Sequence, residues 1–138
     1  MDYFTHVFLP AAGHFILAFG LACIFLAVFK RLYQISTPYN ESRLIGDGNV
    51  AAAVALGGAI IGFALPLAST LTQTADPFEF TAWAVLAGAV QILASLIVRR
   101  FVVRDMTARI ESGNVASGLY LASTSVGVGL LNAASMTY

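Results

Sequence analysis

With 138 residues, 59% of them hydrophobic and 10% charged, the chain lies far from the roughly 25% charged residues of soluble domains. A water-soluble fold this small could not bury so much apolar surface. The formal net charge of zero gives no starting point for nucleic acid or an acidic ligand, so only the distribution of charge informs.

The first apolar run, Phe8 to Phe29, predicts a transmembrane helix, because a bilayer core of about 30 Å takes roughly 20 apolar residues to cross. Met1 to Val7 reads as a short outer tail. Pro10 falls in the first helical turn, where a missing amide is tolerated. No cations precede the run, it is too long for a signal-peptide core, and its cations follow it, so the helix is expected to be retained. His14 lies about a turn inside Pro10, among Phe, Leu and Ala. It is either a protonatable or ligand-contacting ring or, more simply, an interfacial histidine bonded to a neighbouring helix. His6 and His14 are too far apart along a helix to share a metal. Cys23 is the single cysteine, which excludes a disulfide framework, and it reads as a small packing residue.

The connector Lys30 to Gly48 begins with snorkelling cations. Pro38 pushes Thr37 out of the helical region, so a break is expected there. Asn40 to Ile45 is then expected to form a short interfacial helix, with Leu44 and Ile45 toward lipid and Glu41 and Arg43 toward water.

The second run, Val50 to Leu71, opens at Gly48-Asn49, and this opening returns at Gly113-Asn114. Laid over each other without a gap, Leu44 to Thr72 and Arg109 to Thr137 agree at Ile45/Ile110, Gly48/Gly113, Asn49/Asn114, Val50/Val115, Ala51/Ala116, Leu56/Leu121, Gly62/Gly127, Leu65/Leu130, Ala68/Ala133 and Thr72/Thr137. The pattern reads as an internal duplication. Asn49 and Asn114 are strong N-caps, each preceded by a glycine that lets the chain turn sharply. The two positive helix ends either attract an anion or are explained by capping alone.

Inside the second run, Ala51-Ala52-Ala53, Gly57-Gly58 and Gly62 leave one face nearly bare. Gly58 and Gly62 have GxxxG spacing, and Ser123 and Gly127 hold the corresponding positions. Small faces let helices approach closely in lipid, so helices two and four are expected to form the inner pair. Helices one and three, with Phe15, Phe19, Phe25, Phe29 and Trp83, are expected to face lipid. Pro66 should kink the helix or free the carbonyl four residues back, at Gly62. The third run, Phe80 to Val98, carries Gln91 at mid-depth. The fourth, Val115 to Met136, carries Ser123, Thr124, Ser125 and, near its outer end, Asn132. These amides either line a polar path or bind helices together, and the second reading is favoured.

All basic residues fall in two connectors: Lys30, Arg31 and Arg43, then Arg99, Arg100, Arg104 and Arg109. The positive-inside rule places both in the cytoplasm and both termini outside. The expected architecture is therefore one all-α transmembrane domain, 1–138, with four spans in two parallel-topology hairpin repeats, about 8–72 and 80–138. A pseudo-twofold axis is expected along the membrane normal. Four short helices enclose little volume, so a pore or cavity would need several copies.

At Thr37-Pro38-Tyr39-Asn40-Glu41, Leu44-Ile45 and Asn49-Val50-Ala51-Ala52, the sequence resembles the YjfL-type family of bacterial inner-membrane proteins. Gly62-Phe63 with Pro66-Leu67, Trp83, Gln91, Asn114 with Ala116, and Leu131 to Thr137 extend the resemblance over essentially the whole chain. The Thr-Pro-x-Asn-Glu stretch is its specific part. The family is catalogued as domain of unknown function 350, so the resemblance implies an inner-membrane location and four helices, but no activity. Its members are often encoded near phage-shock-type and polyamine-synthase-like proteins, which implies an envelope context by association. Asn40, Glu41, Asn49, Gln91, Asn114 and Asn132 fall on its pattern; His14 does not.

No HExxH, Cys/His cluster, GxSxG or phosphate loop is present, and Gly46-Asp47-Gly48-Asn49 lacks the lysine of a phosphate loop. An enzyme, a cofactor and a metal are not expected. Two readings remain. One is an oligomeric scaffold or stress-associated component whose basic connectors recruit a cytoplasmic partner or anionic lipid. The other is an oligomeric channel or transporter-like assembly with a path near Gln91 and Asn132.

Overall fold

The computed structural model describes residues 1–136 and is all-helical. Thr137, which the duplication pairs with Thr72, lies outside the described residues. A π-helical turn, Phe4–Phe8, leads into α1, Leu9–Ser36. Pro10 offers no amide and its ring would crowd a tighter turn, and the wide turn just before it accommodates both demands. α1 continues past the expected Phe29, so Lys30 and Arg31 ride on the helix. It stops where Pro38 dictates: Thr37 is extended, with φ −89° and ψ 141°.

Next come α2, Glu41–Gly46, then α3, Val50–Gln73, and α4, Pro77–Ile97. α4 starts ahead of the expected Phe80 because Asp76 caps it, its carboxylate accepting the Phe78 amide at 2.9 Å. A second π-helical turn, Val98–Val102, extends α4 toward α5, Met106–Glu111, and α6, Val115–Ser135, follows. Among the described residues, four segments are long and apolar enough to cross a membrane: Phe4–Ser36, Val50–Gln73, Pro77–Val102 and Val115–Ser135.

α3 and α6 run parallel at the centre, as expected, in closer contact than any other pair. A Cβ placed on Gly118 would lie 2.5 Å from the Ala51 carbonyl oxygen. One on Gly58 would overlap Ala122, one on Gly62 would overlap the Ser125 carbonyl, and one on Gly129 would overlap the Gly62 carbonyl. No side chain larger than hydrogen fits at these four places.

The seam corrects part of the expected packing set. Gly58 and Gly62 belong to it, but Ser123 is exposed, and a Cβ at Gly57 or Gly127 meets nothing within 4 Å. On α6 the contact uses Gly118, Ala122, Ser125 and Gly129 instead. Equivalent residues of the two halves therefore do not face each other. A local twofold that set Ala51 on Gly118 would also set Ala53 on Ala116, yet both are exposed. The expected twofold does not relate this contact.

Pro66 cannot donate to the Gly62 carbonyl, and the α-carbon of Gly129 packs against that same group. Around the pair, Phe15 and Phe19 face outward as expected. Phe29 does not: it is buried and stacked on Phe63, with ring centroids 4.3 Å apart. Phe25 and Trp83 are half-buried against the same core. Gly88 of α4 lies against that stack, a Cβ there falling 3.4 Å from the Phe63 ring and 3.7 Å from that of Phe29. Cys23, expected as a packing residue, is exposed.

Candidate functional site

The connectors before α3 and α6 are built alike. Asp47, Gly48 and Asn49 donate backbone N–H groups to the carbonyls of Arg43, Ile45 and Leu44; Ser112, Gly113 and Asn114 donate to Ala108, Ile110 and Arg109. Gly48 and Gly113 both hold φ at 84°, the left-handed region that glycine enters without strain. Asn49 accepts the Ala52 amide at 3.0 Å and Asn114 the Ser117 amide at 3.2 Å, so both cap as expected. They then diverge. The Asn49 side chain also donates to the carbonyls of Ile110 at 2.8 Å and Glu111 at 3.3 Å, tying the start of α3 to the end of α5.

A buried polar cluster sits between these connectors. The Thr37 hydroxyl donates to the Gln34 carbonyl at 2.8 Å, closing the end of α1. The turn through Pro38 swings Tyr39 inward, and Asn40 caps α2 by accepting the Arg43 amide at 3.1 Å. Glu41, the first residue of α2, is thereby carried into the interior. It was expected to face water and instead is 2% exposed.

From the opposite side, the π-helical turn after α4 delivers Arg99. Its Nη2 donates to the Tyr33 hydroxyl at 2.9 Å, and its guanidinium lies 5.6 Å from the Tyr33 ring centroid and 5.2 Å from that of Tyr39. A cation over two aromatic faces gains about 0.5–2 kcal/mol per contact, according to how far it is desolvated.

Burial raises the Glu41 carboxyl above its ordinary range, against the pull of Arg99 and Lys30. Burial also pushes the Tyr39 phenol up to about 12, again opposed by Arg99. Tyr39 Oη, Glu41 Oε2 and Arg99 Nη1 are buried without a hydrogen-bond partner. The cluster thus places one cation and one carboxyl, neither fully satisfied, where α1, α2 and α4 converge. It supplies an electrostatic clasp. Among the described residues no group of three His, Cys, Asp or Glu side chains could hold a metal.

Arg99, expected among the solvated connector cations, is the residue the sequence reading misplaced. Its signal was spacing: Gln91, Ser95 and Arg99 recur every fourth residue on a helix face otherwise made of Ala84, Ala87 and Gly88.

Gln91 and Asn132 each bind the backbone of the other's helix. Gln91 on α4 donates to the Ser125 carbonyl of α6 at 3.1 Å, and Asn132 on α6 donates to the Ala87 carbonyl of α4 at 3.2 Å. His14 stands apart from both groups. It is exposed and lines an apolar groove of about 560 Å³ between α1 and the Thr74–Pro77 turn, which also holds Asp76.

The family model for Domain of Unknown Function (DUF350) matches residues 4–136. The "UPF0719 inner membrane protein YjfL" of Escherichia coli (strain K12) is 28% identical over 130 residues, covering 94% of this chain and 95% of that protein. The "UPF0719 transmembrane protein YshE" of Bacillus subtilis (strain 168) is 28% identical over 120 residues, covering 86% and 89%. No solved structure matches. Matched over nearly its whole length and built from four membrane-length helices, the chain belongs to the DUF350 family of multi-pass inner-membrane proteins.

Proposed function

We propose that this protein is an oligomeric, non-transporting scaffold of the bacterial inner membrane, associated with the envelope, whose basic cytoplasmic face recruits a peripheral partner or anionic lipid. The amide exchange between α4 and α6 carries the reading. Gln91 and Asn132, which a solute path would need as free ligands, are committed to backbone carbonyls of each other's helix.

The orientation that goes with it sets both termini on the periplasmic side and α2 and α5 in the cytoplasm, as the exposed Arg31, Arg43, Arg100, Arg104 and Arg109 favour. The matched hydrogen bonds of the two connectors support descent of the halves from one duplicated hairpin. The second reading, a path through an assembly, is favoured by Gln91 Oε1, buried without a donor.

Reconstitution into liposomes with ion and small-solute flux assays separates the two. Scaffolding expects no flux in wild type, together with loss of a co-purifying partner or of anionic-lipid binding in Arg100→Ala/Arg104→Ala. Flux that disappears in Gln91→Leu and Asn132→Leu would establish the path and refute the scaffold.

A further inference from the structure

We propose that Lys30 and Arg31 bind the phosphate of an anionic phospholipid of the cytoplasmic leaflet, drawn part-way into the bilayer along α1. The site commits the reading above to anionic lipid, and it rests on the orientation given there.

Depth sets these two cations apart from the others. Phe29 stacks on Phe63, and a Cβ on Gly88 would fall 3.7 Å from the Phe29 ring. Phe63 adjoins the midpoint of α3 at Ile61 and Gly62, and Gly88 adjoins Ala87, the midpoint of α4. The next two residues of α1 therefore lie within about 3 Å of the middle of the bundle. From that level α3 runs back for about 20 Å to its cap at Asn49, whereas α1 ends at Ser36, about 9 Å beyond Lys30. Half a bilayer core is about 15 Å, so both cations sit inside the slab that the other helices span.

Neither is covered there. Lys30 and Arg31 are exposed, and neither side chain makes an ion pair or a hydrogen bond among the described residues. Arg31 stands about 200° around α1 from Phe29 and from Tyr33, between Ile24, Val28 and Ile35, which are all exposed. Cations at such depth are paired with an opposite charge or reached by water. Water would hydrate the guanidinium but leave the three aliphatic neighbours uncovered.

No second copy supplies the charge. α1, α3 and α6 contain no acid, and α4 contains only Glu79, in its first turn. Glu41, whose carboxyl interacts with Arg99 and Lys30, is buried and forms an ion pair with neither. A phospholipid brings both parts that the place requires. Its phosphate oxygens suit the two-pronged grip of a guanidinium, and its acyl chains cover Ile24 and Val28 on the outer side of the pair. One turn below Lys30, Gln34 donates to the Ser42 hydroxyl at 3.4 Å, a polar pair beside the site for the rest of the headgroup.

Nanodiscs of phosphatidylcholine with a minor share of phosphatidylglycerol of the same chains test this, the lipid retained on the protein being counted by native mass spectrometry. Wild type is expected to enrich phosphatidylglycerol about tenfold. Lys30→Gln/Arg31→Gln is expected to abolish the enrichment at unchanged helix content by circular dichroism, and the charge-preserving Lys30→Arg/Arg31→Lys to keep it. Enrichment that survives in the glutamine variant would overturn the site; if it is lost instead in Arg100→Ala/Arg104→Ala, the lipid binds the connectors and the scaffold reading stands. Phosphatidylglycerol displaced by millimolar inorganic phosphate would overturn the lipid as the source of the phosphate. No enrichment by wild type would overturn both the site and the anionic-lipid form of the reading above.

Discussion

Replacing Gly129 with alanine is expected to destabilise the protein through the α3–α6 seam. The new Cβ would overlap the Gly62 carbonyl oxygen and lie 2.8 Å from both the carbonyl carbon and Cα of that residue, where ordinary contact begins at 3.4 Å. Both neighbours are backbone, so neither yields by a rotamer change. The helices must part by more than the roughly 0.6 Å that would relieve the two carbon contacts, or bend, and overpacking of this kind costs about 1–3 kcal/mol. Gly127→Ala is the control: it lies on the same helix, meets nothing within 4 Å, and gains the same helix propensity of about 1 kcal/mol. The difference between the two variants isolates the clash. Unfolding of monomeric protein in mixed micelles by titrated SDS, followed by circular dichroism, measures it. Equal stability of the two variants would refute the account of a seam closed to any side chain.

Gln91→Leu removes the bond to Ser125 and Asn132→Leu the bond to Ala87; each is expected to cost about 0.6–2 kcal/mol in the same titration. Asn49→Ala should cost more than Asn114→Ala in monomeric protein, because both lose a cap of about 1 kcal/mol but only Asn49 also ties α3 to α5; equal losses would remove Asn49 from that role. Burial of Glu41 favours its protonated form in the folded state, so its contribution is fully present below the ordinary carboxyl value of 4.5 and is lost as pH rises through the raised one. Thermal unfolding of wild type should weaken over that interval, and Glu41→Gln should flatten the slope; an unchanged slope would exclude Glu41 as its source.

The spans and the central pair were legible because they rest on local rules: apolar length, Gly-Asn openings and a bare helical face. The side of α6 that meets α3 was not. Aligning the halves put Ser123 and Gly127 opposite Gly58 and Gly62, but sequence equivalence says nothing about which faces touch when two equivalent helices lie side by side. Glu41 was misplaced for a related reason. A short helix with alternating polarity reads as interfacial, and its orientation is set by the Thr37-Pro38 turn and by Arg99, more than fifty positions away. Arg99 itself was hidden by counting cations per connector, where the four-residue spacing back to Ser95 and Gln91 would have turned it inward. The caps at Asn49 and Asn114 followed from sequence; the additional tie from Asn49 to α5 needed coordinates.

The seam between α3 and α6 bears on how the chain matures. Its partners are distant in order of synthesis, as the hydrogen bond from Ser69 to Ala133 across 64 positions illustrates. When α3 enters the bilayer, the surface that closes on its small-residue side has yet to leave the ribosome, and α4 must cross first. The nascent first half therefore waits in lipid with its tightest-fitting side bare. The final helix acts as the closing piece of the protein, and a polypeptide released before it is complete carries an unsheathed surface for membrane quality control to read.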